Sequence, residues 1–410
     1  MIRTLVADTP VTSCAAVPGT AAVIAPYDDS PYPRAFAGHG WLTTAVMPEA
    51  RLRPLAYQAA PAPSGFRHTL VHRTVRHSVQ VLRTMGVAAV VAGSPAGIEL
   101  AERIAWHLQL PGADPASSPL RFDRGRQAEL LSRSGMPALR GIRTTSLADA
   151  VAWASARRLP GYLLGPAVSG SPVRPIACTS DLQISAAWPA MRRAAAGYTG
   201  SQYLVLTERH STQYTVHSAT RPGPDGQPQH VITDTWVDSR TADGQVARTD
   251  LLAAGGLLAR TLSLRTRQAL DALGVTAGPA TTRLAYGIDE GAGEGPLVVS
   301  VLAALDANPA DGALRTATGR DRVADVLDAW VPSPGALVQT PGGQHIVRVR
   351  LPHGLVLDPA TVHVVRNLPT VAAVSADHEG TEVVLSSRNR RAIEADYQAI
   401  RALNGHAPTA

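Results

Sequence analysis

The sequence predicts an α/β fold that leads into a mixed α+β region, and three observations support this prediction. Short apolar runs alternate with segments of helical periodicity near the N-terminus, which is typical of an open parallel sheet. Farther along, alternating strand patterns are separated by Pro, Gly and Asp residues, which favours hairpins. The chain has 410 residues, which is too long for one ordinary core, so several domains are expected.

Residues 1–113 are predicted to form an N-terminal open parallel α/β domain. Its strands are the apolar runs Ala21–Ala25, Trp41–Met47 and Ala88–Ala92. Helices are predicted over Pro33–Gly38, over Arg67–Met85 from the spacing of its apolar residues, and from Pro95 to about Leu108. Ser94 can cap the last helix, since its hydroxyl can accept a hydrogen bond from the first turn. Pro95 suits the first helical position. The strand that leads into Gly93 is expected to be central in the sheet.

Residues 114–330 are predicted to form a two-lobed central region. Its helices are expected over Pro119–Gly135, Ser146–Arg158, Asp181–Ala195, Leu251–Leu273 and part of Ala313–Trp330. Its strands are expected over Tyr162–Leu164, Tyr203–Leu206, Gln213–Ser218, Val231–Val237, Thr282–Tyr286 and Leu297–Val301. Gly165–Val173 is predicted to be a loop.

Residues 331–410 are predicted to form a small αβ unit. Its strands are expected near His345–Arg350, Val371–Val374 and Glu382–Leu385. A helix over Asn389–Leu403 closes the chain, and Ser387 is its expected N-cap.

The charge of the chain comes from an unusual set of residues. All 38 basic residues are arginines, because the chain contains no lysine. The net charge of +6 is dispersed, without a basic run of the kind that binds nucleic acid. No apolar run approaches the roughly 20 residues that cross a membrane, and Asp8, Thr12 and Ser13 interrupt any signal-peptide core. Cys14 and Cys178 are expected to be reduced thiols. We therefore expect a cytoplasmic protein whose partners are neither nucleic acids nor membranes.

Several stretches, which span most of residues 20–403, together resemble one superfamily. They are VVAGSPAGIELAER (Val90–Arg103), SGMP (Ser134–Pro137), YLLGPAVSGS (Tyr162–Ser171), HVITDTW (His230–Trp236) and LDALGVTAGPA (Leu270–Ala280). In this order they resemble the ATP-grasp superfamily, specifically bacterial carboxylate–amine ligases of the amino-acid and dipeptide type. The resemblance implies an ATP-grasp fold. It also implies that a working relative would hold the ATP phosphates with two lysines and a flap, and Mg²⁺ with acidic residues.

The positions that resemble the phosphate site have lost those residues. One lysine falls at Asp123-Arg124, and the second falls at Gly165. Arg124 could replace a lysine electrostatically, since guanidinium pairs well with phosphate, but Gly165 cannot. The flap is shortened to a loop that contains Ser169 and Gly170.

The positions that resemble the adenine and metal sites are also changed. Thr207 or Gln213 stands where a hinge carboxylate would hold adenine or ribose, although Glu208 is adjacent to Thr207. Arg283 and Ser300 stand where acidic residues would bind Mg²⁺. Asp306 and Asn308 are displaced from the positions that the family uses. These departures from the family's residues predict that the protein uses neither a metal nor a nucleotide cofactor.

Polar residues on the predicted central strands are candidates for chemistry in the former ligase cleft. His210, His217 and His230 fall in the strand region that should line the cleft, where an acid–base or metal role competes with a structural one. Asp234 and Trp236 match the family's DxW element, whose strand faces the substrate. A buried capping Asp beside a core Trp is the alternative. We take His210, His230 and Asp234 as catalytic candidates and Trp236 as a substrate-binding candidate.

Arg283 and the pair His68 and His72 are two further sets of candidate binding residues. Arg283 lies on a strand predicted to be buried, where a lone arginine is costly unless it is paired. Its partner could be a ligand carboxylate, which would make Arg283 a substrate-binding residue, or a neighbouring acid such as Asp234 or Asp250. His68 and His72 would share one helical face as zinc ligands can, but surface histidines are favoured because no third ligand is evident.

Three functions are compatible with these observations. The leading hypothesis is an ATP-grasp-fold protein without ATP-dependent ligation, repurposed to bind or convert an amino-acid-like carboxylate in specialised-metabolite biosynthesis. The second is a non-catalytic partner subunit of an intact ligase, and a homodimer is also possible. The third is an active ATP-dependent ligase in which arginines replace the lysines. The sequence does not decide whether the protein is an enzyme.

Overall fold

The architecture consists of three β-sheets with helices packed against them. A computed structural model describes residues 19–48, 63–171, 173–210, 213–241, 246–286, 295–305, 311–318, 321–331, 343–351, 357–377 and 380–403. Within these residues, two sheets have four strands each and one has eight. Cys14 and the two displaced residues Asp306 and Asn308 lie outside the described residues, whereas Cys178 is a buried free thiol. Among the described helices, none combines the length and apolarity that crossing a membrane requires.

The first sheet is parallel and carries helices, as predicted. Its strands are β1 (Thr20–Ile24), β2 (Leu42–Pro48), β3 (His68–His72) and β4 (Val87–Ala92), in the order β3-β2-β1-β4. The helices are α1 (Tyr32–Ala37), α2 (Val75–Thr84) and α3 (Ile98–Leu108), the last preceded by a 3₁₀ turn at Pro95–Gly97. β4 leads into α3 as expected. However, β4 is last in the described strand order rather than central, because β1 pairs with both β2 and β4.

The predicted helix over Arg67–Met85 is wrong in its first half. His68–His72 forms strand β3, because its backbone pairs in parallel with the free edge of β2. α2 begins only after Thr74, whose side chain accepts a hydrogen bond from the backbone N–H of His77. His68 and His72 are therefore strand residues rather than neighbours on a helix, and Nδ1 of His72 lies 2.9 Å from Oγ of Ser78.

The second sheet is antiparallel and forms the smaller lobe of the central region. Its strands are β5 (Gly141–Thr144), β6 (Tyr162–Pro166), β7 (Ile176–Cys178) and β8 (Leu204–Glu208), in the order β5-β8-β6-β7. Its helices are α4 (Arg124–Arg133), α5 (Leu147–Arg157) and α6 (Asp181–Thr199). Ser146 caps α5 as predicted. The helix predicted over Pro119–Gly135 is split, because the Asp123 carboxylate caps a new helix by accepting from the N–H groups of Gly125 and Arg126.

The third sheet is antiparallel and continues from the central region into the C-terminal unit. Its strands are β9 (Gln213–Pro222), β10 (Pro228–Arg240), β11 (Val246–Leu251), β12 (Gly278–Ala285), β13 (Leu297–Leu302), β14 (His345–Arg350), β15 (Val371–Asp377) and β16 (Gly380–Ser387). They lie in the order β13-β12-β9-β10-β11-β14-β16-β15. The associated helices are α7 (Leu257–Ala272), α8 (Asp311–Thr318), α9 (Arg322–Leu327), α10 (Pro359–Arg366) and α11 (Arg390–Leu403). Because β11 pairs with β14, the predicted division at residue 331 does not interrupt the sheet.

Two local predictions in this part of the chain are wrong. The helix expected over Leu251–Leu273 begins only at Leu257, because Leu251 ends strand β11 and Gly256, whose backbone is extended, is the N-cap of the helix. The last helix is capped by Asn389, whose Oδ1 accepts from the N–H groups of Arg391 and Ala392. Ser387 instead accepts from the N–H of Asn389.

The 3₁₀ turn that precedes α3 comes very close to β1 at Gly97, and this close approach gives a testable prediction. A Cβ built on Gly97 would lie 2.2 Å from the carbonyl oxygen of Ile24. Because a backbone atom cannot move aside easily, we expect Gly97→Ala to lower the free energy of unfolding by about 1–3 kcal/mol. Gly312→Ala is the matched control, since no atom lies within 4 Å of its Cβ. Equal stabilities of the two variants in chemical denaturation would contradict this packing.

Candidate functional site

The third sheet presents two faces with different partners. On one face Tyr214, Val216 and Leu284 pack with α7 in an apolar core. On the opposite face, Trp236, Thr215, Arg283 and Ser300 stand side by side across β10, β9, β12 and β13. Residues directly opposite each other on neighbouring strands project to the same side. Trp236, Arg283 and Ser300 therefore share one face of the sheet.

Asp234 lies on this same face, at the centre of a buried polar network. Its carboxylate accepts hydrogen bonds from Nδ1 of His217, Nε1 of Trp236 and Oγ1 of Thr233. Burial alone would raise the pKa of Asp234, but His217 and the charge of Arg322 hold it far below its usual range. Asp234 is thus a buried carboxylate committed to protein donors, which favours the structural interpretation over a catalytic one.

Trp236 takes part in the same core rather than in an open surface. It is 1% exposed and packs with Leu314, Ile346 and Val384. Its indole N–H is directed at Asp234. Direct contact between Trp236 and a ligand would require this core to open, so the structure supports the core alternative for the DxW element.

His230 lies on the other face of the sheet, so its predicted place in the cleft is wrong. A β-bulge between Ile232 and Asp234 inserts one residue, and the alternation of side chains is reversed across it. Nδ1 of His230 lies 2.8 Å from Oγ1 of Thr220, and its Nε2 lies 3.1 Å from Asp271 on α7. Burial lowers the pKa of His230 despite this aspartate.

His210 lies at the junction between the two central sheets, where it is paired with Glu208. Nε2 of His210 lies 3.2 Å from Oε1 of Glu208, and Nη2 of Arg140 lies 2.6 Å from Oε2 of the same carboxylate. Thr207 is buried and its hydroxyl lies 3.5 Å from the carbonyl oxygen of Leu163. His210 and Asp234 therefore belong to separate hydrogen-bond groups. Glu208, the carboxylate next to Thr207, is already engaged by protein donors.

The Glu208 contacts predict a pH-dependent contribution to stability. Burial would raise its pKa, but the hydrogen bonds from His210 and Arg140 lower it to about 2, from an ordinary value near 4.5. A lowered pKa in the folded state stabilises the protein fully above pH 4.5, and this stability is lost as the pH falls toward 2. Because Arg140 is 61% exposed, we expect Glu208→Gln to cost only about 1–2 kcal/mol at pH 7. The difference from the unmodified protein should shrink as the pH falls below 4.5.

Denaturation measured from pH 7 down to the lowest pH at which the protein stays folded checks this prediction. Glu129→Gln is the control, because Glu129 is 57% exposed and pairs with an exposed arginine. A Glu208→Gln effect that stays constant with pH would contradict the assigned pKa.

Arg124 and Gly165, the two positions at which the resemblance implies lysines, lie close together. Nη2 of Arg124 donates to the carbonyl oxygen of Pro166. A Cβ built on Gly165 would lie 2.9 Å from this Nη2 and 3.1 Å from Cβ of Pro175. Arg124 stands where the resemblance implies the first lysine, and Gly165 where it implies the second. The guanidinium of Arg124 therefore fills the space that a side chain at position 165 would need.

The loop that follows Pro166 is pinned to the start of α4. The N–H of Arg124 donates to the carbonyl oxygen of Ala167 at 2.9 Å, and the N–H of Ser169 donates to that of Phe122 at 2.7 Å. Gly170 has φ +71°, and a Cβ at this position would lie 2.6 Å from Cγ of Pro95. The loop is therefore packed down against the N-terminal domain.

Arg283 is exposed rather than buried, which corrects the expectation of a buried lone arginine. Its suggested acidic partners are engaged elsewhere, Asp234 as described above and Asp250 with Arg248 at 2.7 Å. The charge of Arg283 lowers the pKa values of both Arg124 and Arg240, after the larger effect of burial, and that of Arg124 falls to about 10. We call Arg124, Arg240 and Arg283 the arginine cluster.

The other members of the site are already bound within the protein. Nη2 of Arg240 donates to Oε1 of Gln213 at 2.7 Å, and it lies 3.6 Å from Asp238. Ser300, opposite Arg283 in the sheet, is 6% exposed. Within the described part of the chain, no group of three or more His, Cys, Asp or Glu residues could hold a metal ion. The site is therefore a group of three neighbouring arginines, with Asp238 beside Arg240.

Comparison with known proteins supports the fold. No protein-family profile and no curated protein sequence matches the chain. The chain is similar to the L-amino acid ligase of Bacillus licheniformis, with 14% identity, a TM-score of 0.71, and coverage of 94% of this chain and 97% of that one. It is also similar to carboxyaminoimidazole ribonucleotide synthase of Aspergillus clavatus complexed with ATP, with 11% identity, a TM-score of 0.68 and coverage of 94% and 98%.

A third similar structure is the biotin carboxylase domain of the Hydrogenobacter thermophilus 2-oxoglutarate carboxylase. It shares 13% identity and a TM-score of 0.62, with coverage of 93% of this chain and 88% of that one. Together with the three sheets described above, these similarities define the class: the chain has the ATP-grasp fold. The sequence resemblance implied this fold.

Proposed function

We propose that this protein uses the ATP-grasp cleft to bind a small carboxylate and does not carry out ATP-dependent ligation. The position of Arg124 is the observation that carries this proposal. Its guanidinium covers Gly165 and donates to the backbone of Pro166, so one side chain occupies the space of two phosphate-binding residues. A triphosphate would lack the second cation at this point.

The arginine cluster supports a negatively charged ligand. Arg283 is exposed, and its charge is close enough to Arg124 and Arg240 to lower the pKa of each. Like charges held together are unfavourable, and an anion bound among them would relieve this repulsion. A guanidinium can grip a carboxylate through two parallel hydrogen bonds. Arg283 is therefore the residue that we expect to hold the ligand.

An arginine also stands where Mg²⁺ would need a carboxylate ligand. Arg283 pairs across the sheet with Ser300, and neither side chain can supply an anionic oxygen. Like the solved L-amino acid ligase, a protein of this fold suits an amino-acid-like carboxylate. We place that ligand in a specialised-metabolite pathway, where the protein binds or converts it without a nucleotide.

The test of this proposal is calorimetric titration with N-acetyl-L-alanine and glutarate, and N-acetyl-L-alaninamide, which lacks the carboxylate, is the control. Binding of at least one carboxylate in the absence of Mg²⁺ and nucleotide is expected. If no carboxylate binds and Mg·ATP does not bind either, the proposal fails, and the non-catalytic partner subunit becomes the better explanation.

A further inference from the structure

A small pocket lies apart from the arginine cluster, between the loop before α1 and the first turn of α8. Its walls come from the N-terminal domain and from the segment that follows β13. The lining residues are Tyr27, Asp29, Ser30, Pro31, Tyr32, Gly93, Leu305 and Asp311. Tyr27 and Asp29 are exposed and form the mouth, whereas Tyr32 is 1% exposed and lies inside.

Three buried polar atoms of this pocket lack a hydrogen-bond partner among the described residues. They are Oγ of Ser30, Oη of Tyr32 and Oδ1 of Asp311. Buried polar groups are nearly always hydrogen-bonded, and leaving one unpaired is costly. Three such atoms around one pocket therefore indicate that something else binds there.

The charge of the pocket determines what that ligand is. Oδ2 of Asp311 accepts from Nη2 of Arg322 at 3.1 Å, whereas Oδ1 of the same carboxylate has no described hydrogen-bond partner. Burial raises the pKa of Asp311 even though Arg322 opposes this effect, so a second cation would stabilise its charged form. Asp29 adds a second carboxylate at the mouth. An anionic ligand would be repelled here, whereas a cation would be favoured.

The number of hydrogen-bond acceptors in the pocket indicates the chemical class of the cation. The Asp311 carboxylate and the hydroxyls of Ser30 and Tyr32 can each accept one hydrogen bond. A primary ammonium group carries three N–H donors, which matches these three acceptors. We propose that this pocket binds the amino group of a small primary amine. This site uses none of the arginine-cluster residues, so it stands or falls independently of the carboxylate proposal.

The proposal is tested by calorimetry and thermal unfolding of the full chain with methylammonium chloride. Tetramethylammonium chloride at equal ionic strength is the control ligand, because it carries the same charge without an N–H donor. We expect methylammonium to bind and to raise the melting temperature, and tetramethylammonium to do neither. An equal response to both ions, or no response to either, would overturn the proposal, and in the latter case the pocket holds water only.

Two variants locate the binding. Tyr32→Phe and Ser30→Ala remove hydroxyls that have no described hydrogen-bond partner, so both proteins should fold with unchanged or higher stability. Each should weaken methylammonium binding about tenfold. Thr282→Val is the matched control, because its hydroxyl is also buried and without a described partner but lies outside the pocket. If Tyr32→Phe and Ser30→Ala bind methylammonium as tightly as Thr282→Val does, the assignment of the pocket is wrong.

Discussion

Asp234→Ala is expected to lower the free energy of unfolding by about 3–5 kcal/mol, which is the cost of breaking a buried charged network by removing one partner. The substitution leaves His217, Trp236 and Thr233 without their shared acceptor in a buried site. It also leaves the charge of buried Arg322 with less compensation. Because the network connects strands β9 and β10, its loss should be felt in global unfolding.

Chemical denaturation measures this effect, and the chain offers a close control. Asp271 also contacts a histidine, His230, but its side chain is 62% exposed. Asp271→Ala should therefore change the stability by less than about 1 kcal/mol. A loss below about 1 kcal/mol in Asp234→Ala would contradict the network as described and would return Asp234 to the list of catalytic candidates.

Arg283→Ala is expected to weaken carboxylate binding by about 10- to 100-fold, as the loss of charge-assisted hydrogen bonds predicts. Its melting temperature should stay the same or rise, because Arg283 is exposed and repels Arg124 and Arg240. Calorimetry with the same carboxylates, paired with thermal unfolding, separates binding from stability. Arg260→Ala is the control, since Arg260 is an exposed arginine on α7.

Two results would contradict a carboxylate-binding role for Arg283. If Arg283→Ala binds carboxylates as tightly as Arg260→Ala does, the ligand is held elsewhere. If Arg283→Ala unfolds at a markedly lower temperature, Arg283 makes a structural contribution that its exposure does not indicate.

Elements with a strong local pattern were predictable from the sequence. The apolar run of β1 and the Ser146 cap of α5 gave correct elements, because burial and capping act within a few residues. Strand β3 was assigned to a helix and most of strand β11 was not predicted, because the identity of both depends on pairing with distant strands. A short apolar run does not by itself distinguish the two structures.

The site was predictable only in part, for a related reason. The sequence assigned Asp234, His230 and Arg283 to strands expected to line one cleft, and in the structure Asp234, Trp236 and Arg283 share one face of the sheet. His230 lies on the other face, because a single bulge residue reverses the alternation of side chains and the sequence carries no mark of it. Glu208 was noticed only as a neighbour of Thr207, since its partner Arg140 is distant in sequence.

The contact between Arg124 and Gly165 was not predictable from the sequence. Gly165 and Arg124 were treated as two separate losses, one partly compensated and one not. The structure shows that they form one contact, because the guanidinium of Arg124 lies over Gly165. No sequence pattern relates these two positions, which are brought together by hydrogen bonds from Arg124, at the start of α4, to Pro166 and Ala167.

The central claim is that this ATP-grasp fold has lost its nucleotide, and calorimetric titration of the full chain with Mg·ATP tests it most directly. Mg·ADP and a non-hydrolysable analogue are titrated in parallel. We expect no binding at millimolar concentration, because Arg124 fills the space above Gly165, and Arg283 and Ser300 replace metal ligands. A micromolar dissociation constant for Mg·ATP would contradict the account and would support a ligase that works with arginines in place of lysines.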